Sequence, residues 1–176
     1  MGKLSAPESA MLFAGTLYAD AAAYQHAKEI LQDSFGSTFF ETPPTPWEYS
    51  SYYRDELGFP VIRQFIFFNG IIDPGILAGV KIRTNAIEAM LSSEGKRKIN
   101  IDPGYLTLSK VVLASTKNYV HRIYLGKGIY AEVTLIFRDN AFRPHLFTYR
   151  DYQDRAYTDM FRAMRTRLKT LLDTHP

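Results

Sequence analysis

Between residues 110 and 132 the chain concentrates the side chains best suited to holding an anion. Lys110, Lys117, His121 and Arg122 come in close succession, with Lys127 a little further on. Cations on neighbouring strands can share one phosphate or carboxylate, and arginine adds a planar fork that matches either group. Tyr124 and Tyr130 would flank such a ligand, while Glu132 would orient Arg122 or act as a base. Three carboxylates are candidates for acid–base work: Glu132, Asp102 and Glu88. Two of them brought together in a poorly solvated site would have one pKa raised. Each residue also has a plainer reading. The cations could decorate a solvated sheet face, where an Arg122–Glu132 pair contributes about 0.2–1 kcal/mol. Glu88 could face solvent from a helix, and Asp102 could form a turn before Pro103 and Gly104.

Other chemistries find less support. His26, His121, His145 and His175 share no metal-ligand spacing. Asp102 with Glu132 could hold Mg²⁺, but nothing in their spacing demands it. The chain has no cysteine, which excludes a thiolate site and a disulfide framework. No nucleophile elbow is present. The sequence therefore identifies neither a reaction nor a cofactor.

The cluster needs a scaffold, and the hairpin HRIYLGKGIYAEV provides its centre. Residues 120–125 and 129–137 are rich in β-branched and aromatic side chains. A three-residue Gly126-Lys127-Gly128 loop, with Gly128 at positive φ, pairs Arg122 with Glu132 and Tyr124 with Tyr130. That register gathers Ile123, Leu125, Ile129, Ala131, Val133 and Leu135 on an apolar face. It places Arg122, Tyr124, Tyr130, Glu132 and Thr134 on the other face, which is expected to line a concave site. A one-residue slip would flip every side chain. His121 projects toward the apolar side as a core histidine.

Upstream, residues 11–19 read as a buried strand. Asp20 caps a helix whose apolar positions are Ala23, Tyr24, Ala27, Ile30, Leu31 and Phe35, with Gly36 at its end. Residues 38–41 form a short strand that Pro43, Pro44 and Pro46 terminate. Residues 47–56 fit loop, strand and helical turn equally, and residues 61–68 are a strand. Asp73-Pro74 opens a second helix with Leu77, Val80, Thr84, Ile87 and Leu91 as its buried stripe. Lys81, Glu88 and Glu94 should reach solvent or a cleft, and Gly95 closes the helix. Residues 97–102 return as a strand, and Pro103-Gly104 turns the chain.

The order so far is β-α-β-β-α-β, the ferredoxin-like pattern. It predicts that residues 11–19 and 61–68 are adjacent antiparallel strands near the sheet centre, with both helices on one face. Residues 108–115, the antiparallel hairpin extension and a short strand near 146–149 follow. A terminal helix over 155–172 carries Tyr157, Phe161, Met164, Leu168 and Leu171 as its stripe, with Arg162, Arg165, Arg167 and Lys169 around it.

At 176 residues, the chain suits a single α/β (α+β) domain spanning 1–176. The 46% apolar content argues against disorder. The net charge of +3 does not by itself call for nucleic acid. MGKLSAPESA lacks an apolar run of signal-peptide length. The longest apolar stretch, around 65–72, is broken by Asn69 and Gly70. These features lead us to expect a cytoplasmic protein without a membrane partner.

Several motifs resemble those of an uncharacterised bacterial family, domain of unknown function 4416. They are N-x-DPGYL at 100–106, SKVVLASTK at 109–117 and HRIYLGKGIYAEVTL at 121–135. Tyr52-Tyr53 with Glu56 and Gly58 adds to the likeness, as does K-x-x-TN-x-IE at 81–88. The resemblance covers nearly the whole chain and implies no established function. Members sometimes carry a GTP-binding label. A P-loop would need G-x-x-x-x-G-K-S/T; here Gly126-Lys127 is followed by Gly128, and His121 stands five residues before Gly126.

Two expectations follow. The first is a site for a phosphorylated or anionic small molecule, nucleotides included, on the polar hairpin face. Its ligand-binding residues are Lys110, Lys117, Arg122, Tyr124, Tyr130 and Glu132, with Asp102 at the rim. The second is a non-catalytic nucleic-acid-binding or protein-interaction module that uses the basic terminal helix.

Overall fold

A computed structural model describes residues 2–174; His175 lies outside them. The described elements in chain order are β1 (Met11–Tyr18), α1 (Ala21–Phe35), β2 (Thr38–Glu41), β3 (Thr45–Pro46), α2 (Arg54–Leu57) and β4 (Ile62–Phe68). Then come α3 (Leu77–Met90), β5 (Ile99–Leu106), β6 (Lys110–Ser115), β7 (Ile123–Gly126), β8 (Ile129–Arg138), β9 (Ala141–Arg143) and α4 (Arg155–Thr174). Short 3₁₀ turns at Pro74–Ile76 and Asp151–Gln153 precede α3 and α4.

All strands join one antiparallel sheet in the order β2-β4-β1-β5-β6-β8-β7, with β3 on β4 and β9 on β8. As the sequence predicts, β1 and β4 are adjacent and antiparallel, pairing Phe13 with Phe67 and Tyr18 with Ile62. β1 is buried along its whole length because helices cover both sheet faces. On one face Tyr24, Ala27 and Leu31 of α1 and Val80 and Ile87 of α3 pack over Leu12, Ala14, Ile66, Ile99 and Ile101. On the other, Tyr157, Phe161, Met164 and Leu168 of α4 pack over Met11, Phe13, Phe65, Phe67, Leu113 and Leu135. Asp20 caps α1 by accepting from the Ala22 and Ala23 amides, and Asp73 accepts from Gly75 ahead of α3.

Several local expectations are corrected. Pro103-Gly104 does not turn the chain; β5 runs straight through it, and Ala14 pairs with Pro103. Gly104 is there for closeness: a Cβ on it would strike the Val112 carbonyl oxygen and come within 2.6 Å of the Phe13 ring. α3 ends at Met90, before Gly95, and Leu91 is only half-buried. Residues 146–149 form a turn instead of a strand, while Ala141–Arg143 pairs with β8 through an Asp139-Asn140 turn with both residues at positive φ.

The hairpin keeps its expected register but not its expected loop. Tyr124 faces Tyr130 and Ile123 faces Ala131. Gly126 pairs with Ile129, so the turn is the two residues Lys127-Gly128, at φ 54° and 78°. Positive φ at both positions gives the twist that suits a two-residue hairpin. A bulge at Leu125 then absorbs the extra residue. A second irregularity separates Val111↔Leu135 from Val112↔Val133 and moves Leu135 to the opposite face from Ile129. The expected apolar face is therefore divided. Ile129 packs against Leu77 of α3, while Ile123, Leu125 and Val133 are exposed.

Candidate functional site

A cleft of about 530 Å³ opens where β5 and β6 part company. The two strands pair only over Gly104–Leu106 and Val111–Leu113. The Ile101 amide donates to Glu88 Oε1 at 2.5 Å, and its carbonyl accepts from Lys81 Nζ at 2.9 Å. Side chains of α3 thus occupy the backbone positions that β6 would otherwise satisfy. Lateral hydrogen-bonding direction in a strand repeats every second residue, so Pro103 lies on this same edge, where it offers no donor. The separation beside Pro103 follows from that missing N–H.

Lys81, Asn85 and Glu88 project from one side of α3 into the cleft, beside Arg97, Asn100 and Asp102. Arg97 forms a fork on Glu56 at 2.6 and 2.7 Å and also reaches Glu88 and Asn100, both at 2.9 Å. Asn100 donates to Asp102 at 2.8 Å, and Lys81 Nζ stands 3.7 Å from the other Asp102 oxygen. Burial pushes the Glu88 carboxyl up, against the opposing influence of Lys81, the Ile101 amide and Arg97. Glu56 is held below the usual carboxylate range, chiefly by its hydrogen bonds to Arg97.

At the other pole lies Arg63 of β4, 4% exposed. Its guanidinium sits among the rings of Phe65, Tyr152 and Trp47, at 5.4, 5.8 and 6.0 Å from their centroids. Nη2 pairs with Asp151, which also accepts from Trp47 Nε1 at 3.0 Å. Burial works against the Arg63 charge, yet the Asp151 carboxylate, with Asp102 further off, holds its pKa above the ordinary value. Arg63 Nε and Nη1 have no hydrogen-bond partner among the described residues, nor does the nearby Tyr152 hydroxyl. Gly15 makes room for both groups: a Cβ there would lie 3.0 Å from Arg63 Nη1 and 3.0 Å from the Tyr152 oxygen.

Aromatic side chains close the remaining walls. Trp47, Tyr49, Tyr52 and Tyr53 come from the segment before α2, and Tyr149 and Tyr152 from the segment before α4. Lys117 lies 5.5 Å over the Tyr52 ring, spanning two walls. Burial, aided by Asp102, raises the Tyr53 hydroxyl. Burial and Glu132 push Tyr149 up to about 12. Both hydroxyls therefore remain protonated donors at neutral pH. Five cationic side chains, Arg63, Lys81, Arg97, Lys117 and Arg150, line the cleft against the carboxylates Glu88, Asp102 and Asp151.

The family model for a domain of unknown function, DUF4416, matches residues 8–168. The chain belongs to that family. No curated protein and no solved structure matches this DUF4416 chain.

Its sequence-predicted site residues separate into three groups. Glu88, Asp102 and Lys117 line the cleft. Arg122 and Glu132 stand outside the lining as a buried pair, with Arg122 Nε 2.7 Å from Glu132 Oε2. Arg122 also donates to Ser115 Oγ, the Lys117 carbonyl and the Tyr149 hydroxyl, at 2.8, 2.9 and 2.5 Å. It thus holds the wall without facing the cavity. Lys110, Tyr124 and Tyr130 do not line the cleft; Lys110 lies at the far end of β6, and the two tyrosines pack on each other at 5.2 Å. His121 does not join an apolar face. It meets Glu132 at 3.1 Å and stacks on Phe147 at 4.5 Å.

The sequence reading missed Arg63, Asp151, Tyr152 and Arg97 in the DUF4416 cleft. A usable signal existed for Arg63, which interrupts an otherwise apolar strand; a buried arginine needs partners. Lys81, Asn85 and Glu88, four and three residues apart, form a polar stripe on α3 of the kind that marks a cleft-facing side. Among the described residues no three His, Cys, Asp or Glu side chains form a metal-holding group. No helix among them is long and apolar enough to cross a membrane.

Proposed function

We propose that the cleft binds a phosphorylated or otherwise anionic small molecule, on a scaffold whose first half is ferredoxin-like. The scaffold reading is supported by the β2-β4-β1-β5 order with α1 and α3 on one face. One observation carries the ligand reading: Arg63 and Tyr152 line the cleft, and two nitrogens of that buried arginine and the buried tyrosine hydroxyl have no hydrogen-bond partner among the described residues. Buried donors are normally satisfied, and an exception beside a concave site suits an acceptor supplied by water or by a ligand. The charge that Asp151 sustains on Arg63 makes an anion the matching group.

The test is calorimetric titration of wild type and Tyr152→Phe with inorganic phosphate, sugar phosphates and nucleotides. Removing an unpartnered hydroxyl should leave stability unchanged or slightly higher. Affinity should fall about tenfold or more, because a hydrogen bond to a charged group contributes roughly 1.5–3 kcal/mol. Absence of binding by the wild type to any of these anions counts against the proposal, as does binding that Tyr152→Phe leaves unchanged.

The nucleic-acid or interaction-module reading draws less support. Arg165 of α4 donates to the Leu108 carbonyl and lies over Phe137, Arg167 lies over Phe39, and Arg155 and Arg162 meet Asp159.

A further inference from the structure

Resting on the anion reading of this cleft, we propose that its ligand is a polyhydroxyl phosphate, a sugar phosphate in chemical class, with a hydroxyl donating to Asp102. Asp102 has the acceptor capacity for that role. Of the three carboxylates lining the cleft, Glu88 has both oxygens engaged, by the Ile101 amide and by Arg97. Asp151 takes Trp47 and Arg63 on one oxygen and the Tyr152 amide on the other. Asp102 accepts one hydrogen bond, from Asn100, and Lys81 at 3.7 Å is beyond bonding range of its other oxygen. An ionised carboxylate has roughly four acceptor positions. Asp102 is also a third exposed, in the cleft.

The two poles lie at a spacing that one small ligand can bridge. Gly15 of β1 faces Asp102 of β5 directly. Directly opposed residues share a face, with Cβ positions about 5 Å apart. The Gly15 Cβ position is where Arg63 Nη1 and the Tyr152 hydroxyl converge. The anion donors and the Asp102 acceptor are therefore neighbours on one sheet face, separated by roughly the width of a sugar ring. A bare anion would use only the first pole and would be repelled by the second. A ligand with an anion and a hydroxyl a few bonds apart uses both. A hydroxyl fits better than an ammonium group, because Lys81 already places a positive charge beside Asp102. The rings of Tyr53 and Tyr149 provide flat apolar surface for the C–H face of a sugar.

The experiment compares two kinds of phosphate on the full chain: n-butyl phosphate, which has no hydroxyl, and ribose and glucose phosphates. Wild type should bind at least one sugar phosphate about tenfold or more tightly than butyl phosphate, matching one hydrogen bond to a charged acceptor. In Asp102→Asn that preference should collapse. Sugar phosphate should weaken, while butyl phosphate should hold or tighten as a like charge disappears. Equal wild-type affinity for butyl and sugar phosphates overturns the proposal without touching the anion reading. So does an Asp102→Asn variant that tightens both alike. Absence of binding to every phosphate overturns the anion reading itself. The wild-type comparison stands without the variant, so a folding defect in Asp102→Asn would not remove the test.

Discussion

Arg122→Ala is the substitution whose expected consequence the structure changes most. On a solvated sheet face it would remove one exposed pair and cost less than about 1 kcal/mol. The side chains of Arg122 and Glu132 are instead only 1% and 2% exposed. Truncation removes bonds to Glu132, Ser115, the Lys117 carbonyl and Tyr149 together. It leaves the buried Glu132 carboxylate with no arginine partner and only His121 Nε2, at 3.1 Å, beside the same oxygen. Breaking one side of a buried pair costs about 3–5 kcal/mol. With His121 at 3.1 Å offering partial relief, the lower end, about 3 kcal/mol, is the expected loss. Urea unfolding followed by tryptophan fluorescence should show the midpoint falling by at least about 1 M, given slopes of 1–3 kcal/mol/M. Converting both partners to apolar residues, Arg122→Met with Glu132→Leu, should recover much of that loss, because no lone charge remains. A single variant costing under about 1 kcal/mol would refute the reasoning, and so would a double variant no more stable than the single.

Three further outcomes are expected. Ile87→Ala, at a fully buried position in α3, should cost about 2–5 kcal/mol in denaturant titration, and Leu91→Ala, half-buried after the helix end, clearly less. Gly104→Ala should lower the melting temperature, since its methyl group has no room between the Val112 carbonyl and Phe13; the over-packing cost is about 1–3 kcal/mol. Glu56 is depressed in the folded state from 4.5, so its contribution is complete above that value and is lost as pH falls through the folded pKa. Stability measured from neutral pH into the acid range should therefore fall less steeply in Glu56→Gln than in wild type; equal slopes would exclude a role for the Arg97 fork.

The legible parts of the chain were those governed by one local period. β1 and β4 follow from short, mostly apolar runs, α1 and α4 from three-to-four spacing, and the Arg122–Glu132 pair from hairpin register. The errors came where two local rules competed. Pro103-Gly104 carries turn chemistry, but β1 pairs across it, and the missing donor falls on the other edge, where pairing with β6 stops. Gly126-Lys127-Gly128 admits more than one loop, and the sheet twist favoured a two-residue turn with a bulge. The site was harder because its parts are far apart in sequence. Arg63 meets Asp151 across 88 positions and Trp47 meets Asp151 across 104. No spacing rule reaches that far, whereas a buried charge in an apolar strand could have been read as a residue needing a partner.

The position of the cleft follows from how the sheet changes along its width. Over β4, β1 and β5 the strands pair continuously, and Ile101 and Ile99 bury their side chains under α3. At Pro103 the next pairing is lost on one edge, and polar side chains of α3 take over the main-chain bonds of Ile101. A buried strand edge without partners would be costly. The charged stripe of α3 is therefore first a structural requirement of this junction, and it brings Lys81 and Glu88 to the cleft as a consequence. Glu88 is consumed by that task, with both oxygens bonded. Asp102 lies on the same strand but points to the opposite face, clear of the main-chain repair, and retains its acceptor capacity. The carboxylate free to meet a ligand is thus set by strand alternation around Pro103, and the cation it faces is set by the absence of a side chain at Gly15.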